Sequence, residues 1–459
     1  MDRRSFLATP LACLLARAAC AASPPPEPPA GVGSEVGRLT RVLLHEPGPE
    51  AWKTLAMLPG DHPMLTYGVL REEVVAEHRD LTASLKAAGA QVLQFVDLLS
   101  EAIVQARQAG AWTGWLQNHA PRLLPQAREL TAAQLIGRDD KLVYHRNERG
   151  LLAPLLAPAT TLFFTRDLAV STPKGVVLCN FGHARRHFES QLTRFLFAHA
   201  PSLAQDKVVF DAEKENVLLE GGDVMVFDER TLLVGVGNAS QREAAVRLAQ
   251  KLELDVIAVQ MPSYQADDGE WEGLREIFYH LDCMVSLVDR RKVLATPYLL
   301  EEKFTRRNPL LDVLVGFASL EGYTTPQRTA LLDEVRNVGR LVRYQAGSGE
   351  PDDALGDRKL VDWLRDQQYE VIPLGGRLAE GENDFKHVVE NVVREARFLS
   401  ANLVATAPGQ VIGYAGSPRT DQALRDAGVK LTTFPAPELV RANGGPHCLT
   451  MPLARAPLG

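Results

Sequence analysis

Cysteine is scarce in this chain, five in 459 residues, and none of the five falls in a Cys-x-x-Cys pair. His-Glu-x-x-His is also missing, so the common zinc spacings have no match here. Gly-x-Gly-x-x-Gly and the P-loop pattern are absent too, which leaves nucleotide cofactors without support. Excess positive charge is lacking: the formal net charge of −7 argues against a protein that holds phosphate backbones, so no nucleic-acid partner is expected. The apolar stretch after Arg4 is short and broken by Pro10 and Arg17, too little to span a bilayer. No membrane anchor is therefore expected.

What is there is a chain 46% hydrophobic and 23% charged, enough to bury a large core. Its opening, Arg3-Arg4-Ser-Phe-Leu followed by apolar residues and then Ser23-Pro-Pro-Pro-Glu-Pro-Pro, resembles a twin-arginine export signal. The expected division is a signal peptide over 1–22, a proline-rich linker over 23–33 and a catalytic domain over 34–459. Export would place the protein in the periplasm. Loss of the signal removes Cys13 and Cys20 and leaves Cys179, Cys283 and Cys448, an odd number that favours one thiol kept for reactivity. For Cys179 and Cys283 buried packing is the preferred reading.

Four segments share one pattern, an amphipathic helix running directly into a strand. Leu85-Lys-Ala-Ala-Gly89-Ala-Gln-Val-Leu-Gln-Phe95 matches Leu424-Arg-Asp-Ala-Gly428-Val-Lys-Leu-Thr-Thr-Phe434, with Gly89 and Gly428 where a helix end wants a left-handed residue. Weaker echoes run over 364–374 and 248–258, the latter at the end of a helix for which Ser240 and Glu243 are spaced as a capping box. Strands rich in Val, Leu and Phe are expected at 39–45, 175–180, 224–227, 231–236, 284–288, 292–296, 403–405 and 411–413. The stretch from about 101 to 155 has helical periodicity and reads as an inserted helical subdomain. Repetition of helix-into-strand units points to an α/β class assembled from modules.

Chemistry is concentrated in four short motifs. In His280-Leu281-Asp282 a strand would turn both polar side chains to one face, although a structural His–Asp bond competes with that reading. Glu220-Gly-Gly-Asp223 places two acids at a bend, where the glycines allow close backbone approach; a plain acidic turn is the alternative. Phe163-Phe-Thr-Arg-Asp167 ends an apolar run with an acid able to grip paired guanidinium nitrogens, or to be satisfied by its neighbour Arg166. Cys448 lies in Asn443-Gly-Gly-Pro-His-Cys448, a glycine-rich loop in which backbone amides, imidazolium or a bound cation could lower a thiol pKa. His447 beside it is expected to point away. Acids, an imidazole and a thiol suit attack on a cationic, resonance-stabilised carbon, whereas His280 and Asp282 alone supply too few ligands for a metal.

In this order and over this span the four motifs resemble the arginine deiminase family of guanidine-modifying enzymes. Ser34-Glu-Val-Gly37-Arg-Leu39 looks like that family's opening strand, and Ala407-Pro-Gly409 to Gly413-Tyr its late one. The resemblance implies a pentein-type fold, five ββαβ modules in an α/β propeller around a polar centre, with the helical subdomain inserted. It also implies that Cys448 is the nucleophile, His280 the general acid and base, and Glu220 its acidic partner, while Asp167 and Asp282 hold the guanidinium. The implied substrate is a small guanidino compound, L-arginine by default with a modified guanidine in competition, and no metal or organic cofactor is required. Arg185 matches an arginine that grips the substrate's carboxylate, but Thr161, Ala239, Arg377 and Asn443 stand where the family has Asn or Arg; Asn443 is retained among the substrate-binding positions. Amidino transfer and non-catalytic guanidine binding are the competing functions. A homo-oligomer is compatible with all of this.

Overall fold

The computed structural model describes residues 31–53, 69–263, 277–305, 307–320 and 324–458. The expected signal peptide and all but the last three residues of the linker lie outside them. Five sheets are built from one pairing scheme: two antiparallel strands, and a third parallel to the second. The trios are Ala169–Thr172, Gly175–Leu178 and Val208–Asp211; Val224–Asp228, Thr231–Val236 and Asp255–Gln260; Val285–Asp289, Lys292–Ala295 and Glu370–Pro373; and Val404–Ala407, Gln410–Tyr414 and Lys430–Phe434. In the fifth, Met451–Arg455 runs antiparallel to Leu39–Leu44, which pairs in parallel with Gln91–Gln94, so the two ends of the described chain meet in one sheet. The second trio is widened by Leu341–Tyr344 and Pro351–Asp352.

Parallel third strands need a crossover, and the helix-into-strand segments provide it. Helices Arg71–Ala87, Arg242–Leu252, Leu360–Asp366 and Pro418–Asp426 each lead into the third strand of a trio. Each joint turns through one left-handed residue: Gly89 (φ 89°), Glu253 (φ 53°), Gln368 (φ 64°) and Gly428 (φ 75°). Glycine takes that conformation without a Cβ clash, whereas Glu253 and Gln368 carry its cost. First strands such as Val224–Asp228 are buried at every position but the last, which explains the apolar run Val-Met-Val-Phe.

Between Gln91–Gln94 and Ala169–Thr172, residues 95–143 are mainly helical: Phe95–Gln108, Trp112–His119, Ala132–Leu135 and Asp140–Val143, with a 3-10 turn at Pro121–Gln126. Their apolar sides form a common core with Phe195 and Leu196 of helix His187–His199. Two local expectations are corrected. Of Ser34–Leu39, Glu35 and Val36 form a turn and the strand begins only at the last residue, Leu39. Ser240 does not cap its helix, whose N-cap is Gln241 without a side-chain bond; the hydroxyl is taken up by Asp223 instead, at 2.7 Å. No helix among the described residues is long and apolar enough to cross a membrane.

Candidate active site

Each trio receives its first strand from a short turn, and those turns carry the polar side chains. Asp167 lies in the turn Thr165–Leu168 before Ala169, Glu220 opens the turn Gly221–Asp223 before Val224, and His280 opens Leu281–Cys283 before Val285. Asn402 precedes Val404, and Cys448 precedes Met451. Five sequence-distant segments thus deliver one group or more each to a common buried region.

His280 is the hub. Its Nε2 lies 3.1 Å from Glu220 Oε2 and its Nδ1 lies 3.7 Å from Asp167 Oδ1. Burial disfavours the imidazolium, but Asp167, Glu220 and Asp223 outweigh it and raise the His280 pKa well above its usual value. The doubly protonated imidazolium is thereby favoured. Burial pushes Glu220 up, yet the bond to His280 and the nearby Arg186 prevail and hold it below the ordinary carboxylate range. The glycines of the Glu-Gly-Gly-Asp turn are required by space: a Cβ on Gly222 would sit 2.3 Å from His280 Nδ1, and one on Gly221 2.0 Å from the Arg166 carbonyl oxygen. Asp223 supports the turn from below, accepting from Ser240 and, at 3.1 Å, from the Leu281 N–H. Burial lifts its pKa to about 7.

Asp167 accepts from Arg186 Nη1 at 2.8 Å, while its Oδ1 is buried without a hydrogen-bond partner. Burial raises its pKa in spite of His280 and Arg186. Arg166 does not satisfy its neighbour: its guanidinium turns away to the Thr450 carbonyl and to Glu35, at 3.1 and 3.4 Å, and its N–H donates to the Cys448 carbonyl. Arg186 also donates to Glu189 at 3.1 Å, and its guanidinium lies over Phe181, 3.9 Å from the ring centre. Arg185, expected to grip the substrate's carboxylate, is half-buried in the turn Ala184–Arg186, next to the arginine that donates to Asp167.

On the other side stands Cys448. Asn402 holds it twice, donating from Nδ2 to Sγ at 3.1 Å and accepting the Cys448 N–H at 3.0 Å. The thiol faces Asp282 Oδ2 at 3.6 Å, and the same oxygen is 2.8 Å from His447 Nδ1. Burial raises Asp282, but His447, His280 and Arg166 outweigh it, so this carboxylate is held below its usual range. The neighbouring Cys283 thiol, burial and Asp282 together push the Cys448 pKa well above the ordinary value. His280 and Asp282 do not share a strand face. They stand in a tight turn, where residues two apart diverge, so His280 meets Glu220 and Asp167 while Asp282 meets Cys448 and His447.

The altered positions have definite places. Thr161 donates from N and Oγ1 to Glu189 Oε1, both at 2.8 Å. Ala239 is buried beside Ser240. Asn443, exposed and at φ 58°, ends the helix Pro437–Arg441. Arg377 is exposed and lines a surface cavity of about 420 Å³ with Gly376, Arg419 and Asp426. Among the described residues no three His, Cys, Asp or Glu side chains are grouped to hold a metal ion. Sequence reasoning missed Asn402, Arg186, Glu189 and Glu35. For Asn402 a signal existed: a polar residue just ahead of an apolar first strand, the place that the other chemistry-bearing residues occupy.

Buried carboxylates flanking an imidazolium and a thiol form a centre able to bind a planar cation and bring sulfur to its carbon. Comparison with known proteins agrees: residues 129–455 match the model of the family described as arginine deiminase. The chain belongs to the arginine deiminase family. The arginine deiminase of Metamycoplasma arthritidis is 25% identical over 453 residues, covering 92% of this chain and 96% of that protein. That of Borrelia duttonii is 25% identical, with 93% and 98% covered. Among solved structures, the product-bound N-terminal domain of ArgZ, a cyanobacterial arginine dihydrolase, is 14% identical with a TM-score of 0.47, covering 91% of this chain and 99% of that one. A dimethylarginine dimethylaminohydrolase adduct is 12% identical with a TM-score of 0.46, over 90% and 99%.

Proposed function

We propose that the chain hydrolyses a guanidino substrate through a covalent intermediate on Cys448, with L-arginine going to L-citrulline and ammonia as the default. The observation that carries this reading is the convergence of Asp167, Glu220, His280, Asp282 and Cys448 from four separate trios. Asp167 has a carboxylate oxygen without a hydrogen-bond partner, and Asp282 lies beside the thiol, so the two acids are suited to hold guanidinium nitrogens. A bound cation offsets the negative charge of Asp282, which is one reason that the Cys448 thiol is held neutral. As the cation binds, the thiol loses its proton to solvent, and the thiolate sulfur attacks the central carbon. His280, charged in the free site, gives a proton to the departing ammonia; as neutral imidazole it next takes a proton from water, whose oxygen attacks the amidino carbon and releases the sulfur.

Three further readings belong with this one. The repeated trio supports a closed five-module propeller of the pentein type. Residues 1–22, with Arg3 and Arg4, act as an export signal that takes the protein to the periplasm. Arg185 and Asn443 bind the far end of the substrate, while Arg186 holds Asp167 and Asn402 positions the sulfur. The test is a panel of L-arginine, agmatine, methylarginines and guanidino acids, scored for ammonia and, with arginine, citrulline. Ammonia release from at least one is expected; none from any of them contradicts hydrolysis.

A further inference from the structure

Cys283 has no part in the mechanism above, yet it shares the Asp282 carboxylate with the reacting sulfur. It closes the turn Leu281–Cys283 and is 8% exposed, against 5% for Cys448. One carboxylate spans both thiols: Cys283 Sγ is 3.6 Å from Asp282 Oδ1, and Cys448 Sγ is 3.6 Å from Asp282 Oδ2. The Cys283 thiol is also the neighbour that raises the Cys448 pKa most. Asn402 fixes Cys448 on the opposite side, so the pair is held in place by a carboxylate and an amide.

We infer that Cys283 and Cys448 form an oxidation site, in which a small hydroperoxide joins the two sulfurs in a disulfide that blocks the nucleophile and that thiols can reverse. This goes beyond the hydrolytic function and does not depend on the substrate. Cys448 sulfur attacks the outer peroxide oxygen, the O–O bond breaks, and the sulfenic acid forms as the alcohol or water leaves. Cys283 sulfur then attacks the Cys448 sulfur. The S–O bond breaks, and the departing hydroxide takes the Cys283 proton as water. Two thiols lose two electrons and the peroxide gains them. A neighbouring thiol intercepts the sulfenic acid before it reaches the sulfinic state, which reducing thiols do not restore.

The test uses the full chain. Reduced protein is treated with hydrogen peroxide, alkylated with N-ethylmaleimide, digested and examined by mass spectrometry. A linked peptide pair containing Cys283 and Cys448, two hydrogens lighter than the separate peptides, is expected, and dithiothreitol should remove it. Cys448 found as sulfinic or sulfonic acid with Cys283 alkylated overturns the inference, as does Cys448 joined to Cys179. Because the readout is mass, it decides the matter even if no guanidine is turned over. With an active protein, dithiothreitol should restore turnover after oxidation of the native chain but not of Cys283→Ser; equal recovery in both contradicts the role of Cys283.

Discussion

Asn402→Ala should raise the Cys448 pKa further and slow every reaction of its sulfur. Three hydrogen bonds leave with the amide: Nδ2 to Cys448 Sγ at 3.1 Å, Nδ2 to the Asp282 carbonyl at 3.2 Å, and the Cys448 N–H to Oδ1 at 3.0 Å. Only the first changes strength when the thiol ionises. A bond to a charged acceptor is worth about 1.5–3 kcal/mol, which corresponds to a rise of about 1–2 pKa units and about 10–100-fold less thiolate at a fixed pH. The assay is the rate of alkylation of Cys448 by iodoacetamide as a function of pH, with the modified peptide identified by mass spectrometry. On the rising limb the variant should lag by that factor, and kcat/KM should fall with it. Asn402→Asp removes the donor and adds a negative charge, so it should lag more than alanine. Superimposable profiles for the native chain and Asn402→Ala would refute the reasoning; equal profiles for Ala and Asp would refute its electrostatic part.

Gly222→Ala should displace the imidazole, because the new Cβ falls 2.3 Å from His280 Nδ1. Acid–base catalysis contributes about 10²–10⁴-fold, so turnover should fall by at least about 100-fold while circular dichroism stays native; a native rate contradicts the placement of His280. Asp223→Asn tests the buried acid with a pKa of about 7. Native Asp223 keeps a proton that the unfolded chain loses near pH 4, so its stabilising effect is complete below pH 4 and is lost as pH rises through 7. The asparagine variant should gain on the native protein across that window, by a difference on the order of 4 kcal/mol in denaturant titrations; parallel stability profiles contradict it.

The repeated joints were legible because a helix end in the left-handed conformation leaves a local mark, glycine at 89 and 428. Strand positions were legible because both faces are buried and the apolar run is continuous, as at 231–236. The acids, imidazole and thiol were legible as residue types. Their arrangement was not: the partners of Cys448 come from Asn402 and Asp282, and those of Arg166 from Glu35 and Thr450, far apart in the chain. Spacing of two in His280-Leu-Asp282 suggested a shared face because a strand was assumed, and the turn sent the side chains to different partners. Ser240 carried the spacing of a helix cap but was claimed by the buried Asp223 and by the Glu220 N–H at 3.0 Å, a tertiary bond with no local signature. Cys283, read as packing, shares the Asp282 carboxylate with the reacting sulfur, another tertiary arrangement with no local signature.

The central claim is that the Cys448 sulfur bonds to the guanidino carbon. Serine keeps the shape of the side chain but is a far weaker nucleophile at the same pH. Ammonia release from L-arginine by Cys448→Ser, folded as judged by circular dichroism, is therefore the most direct measurement. The account predicts loss of turnover by at least about 1,000-fold, in line with removal of a catalytic nucleophile. Turnover at the native rate would contradict it.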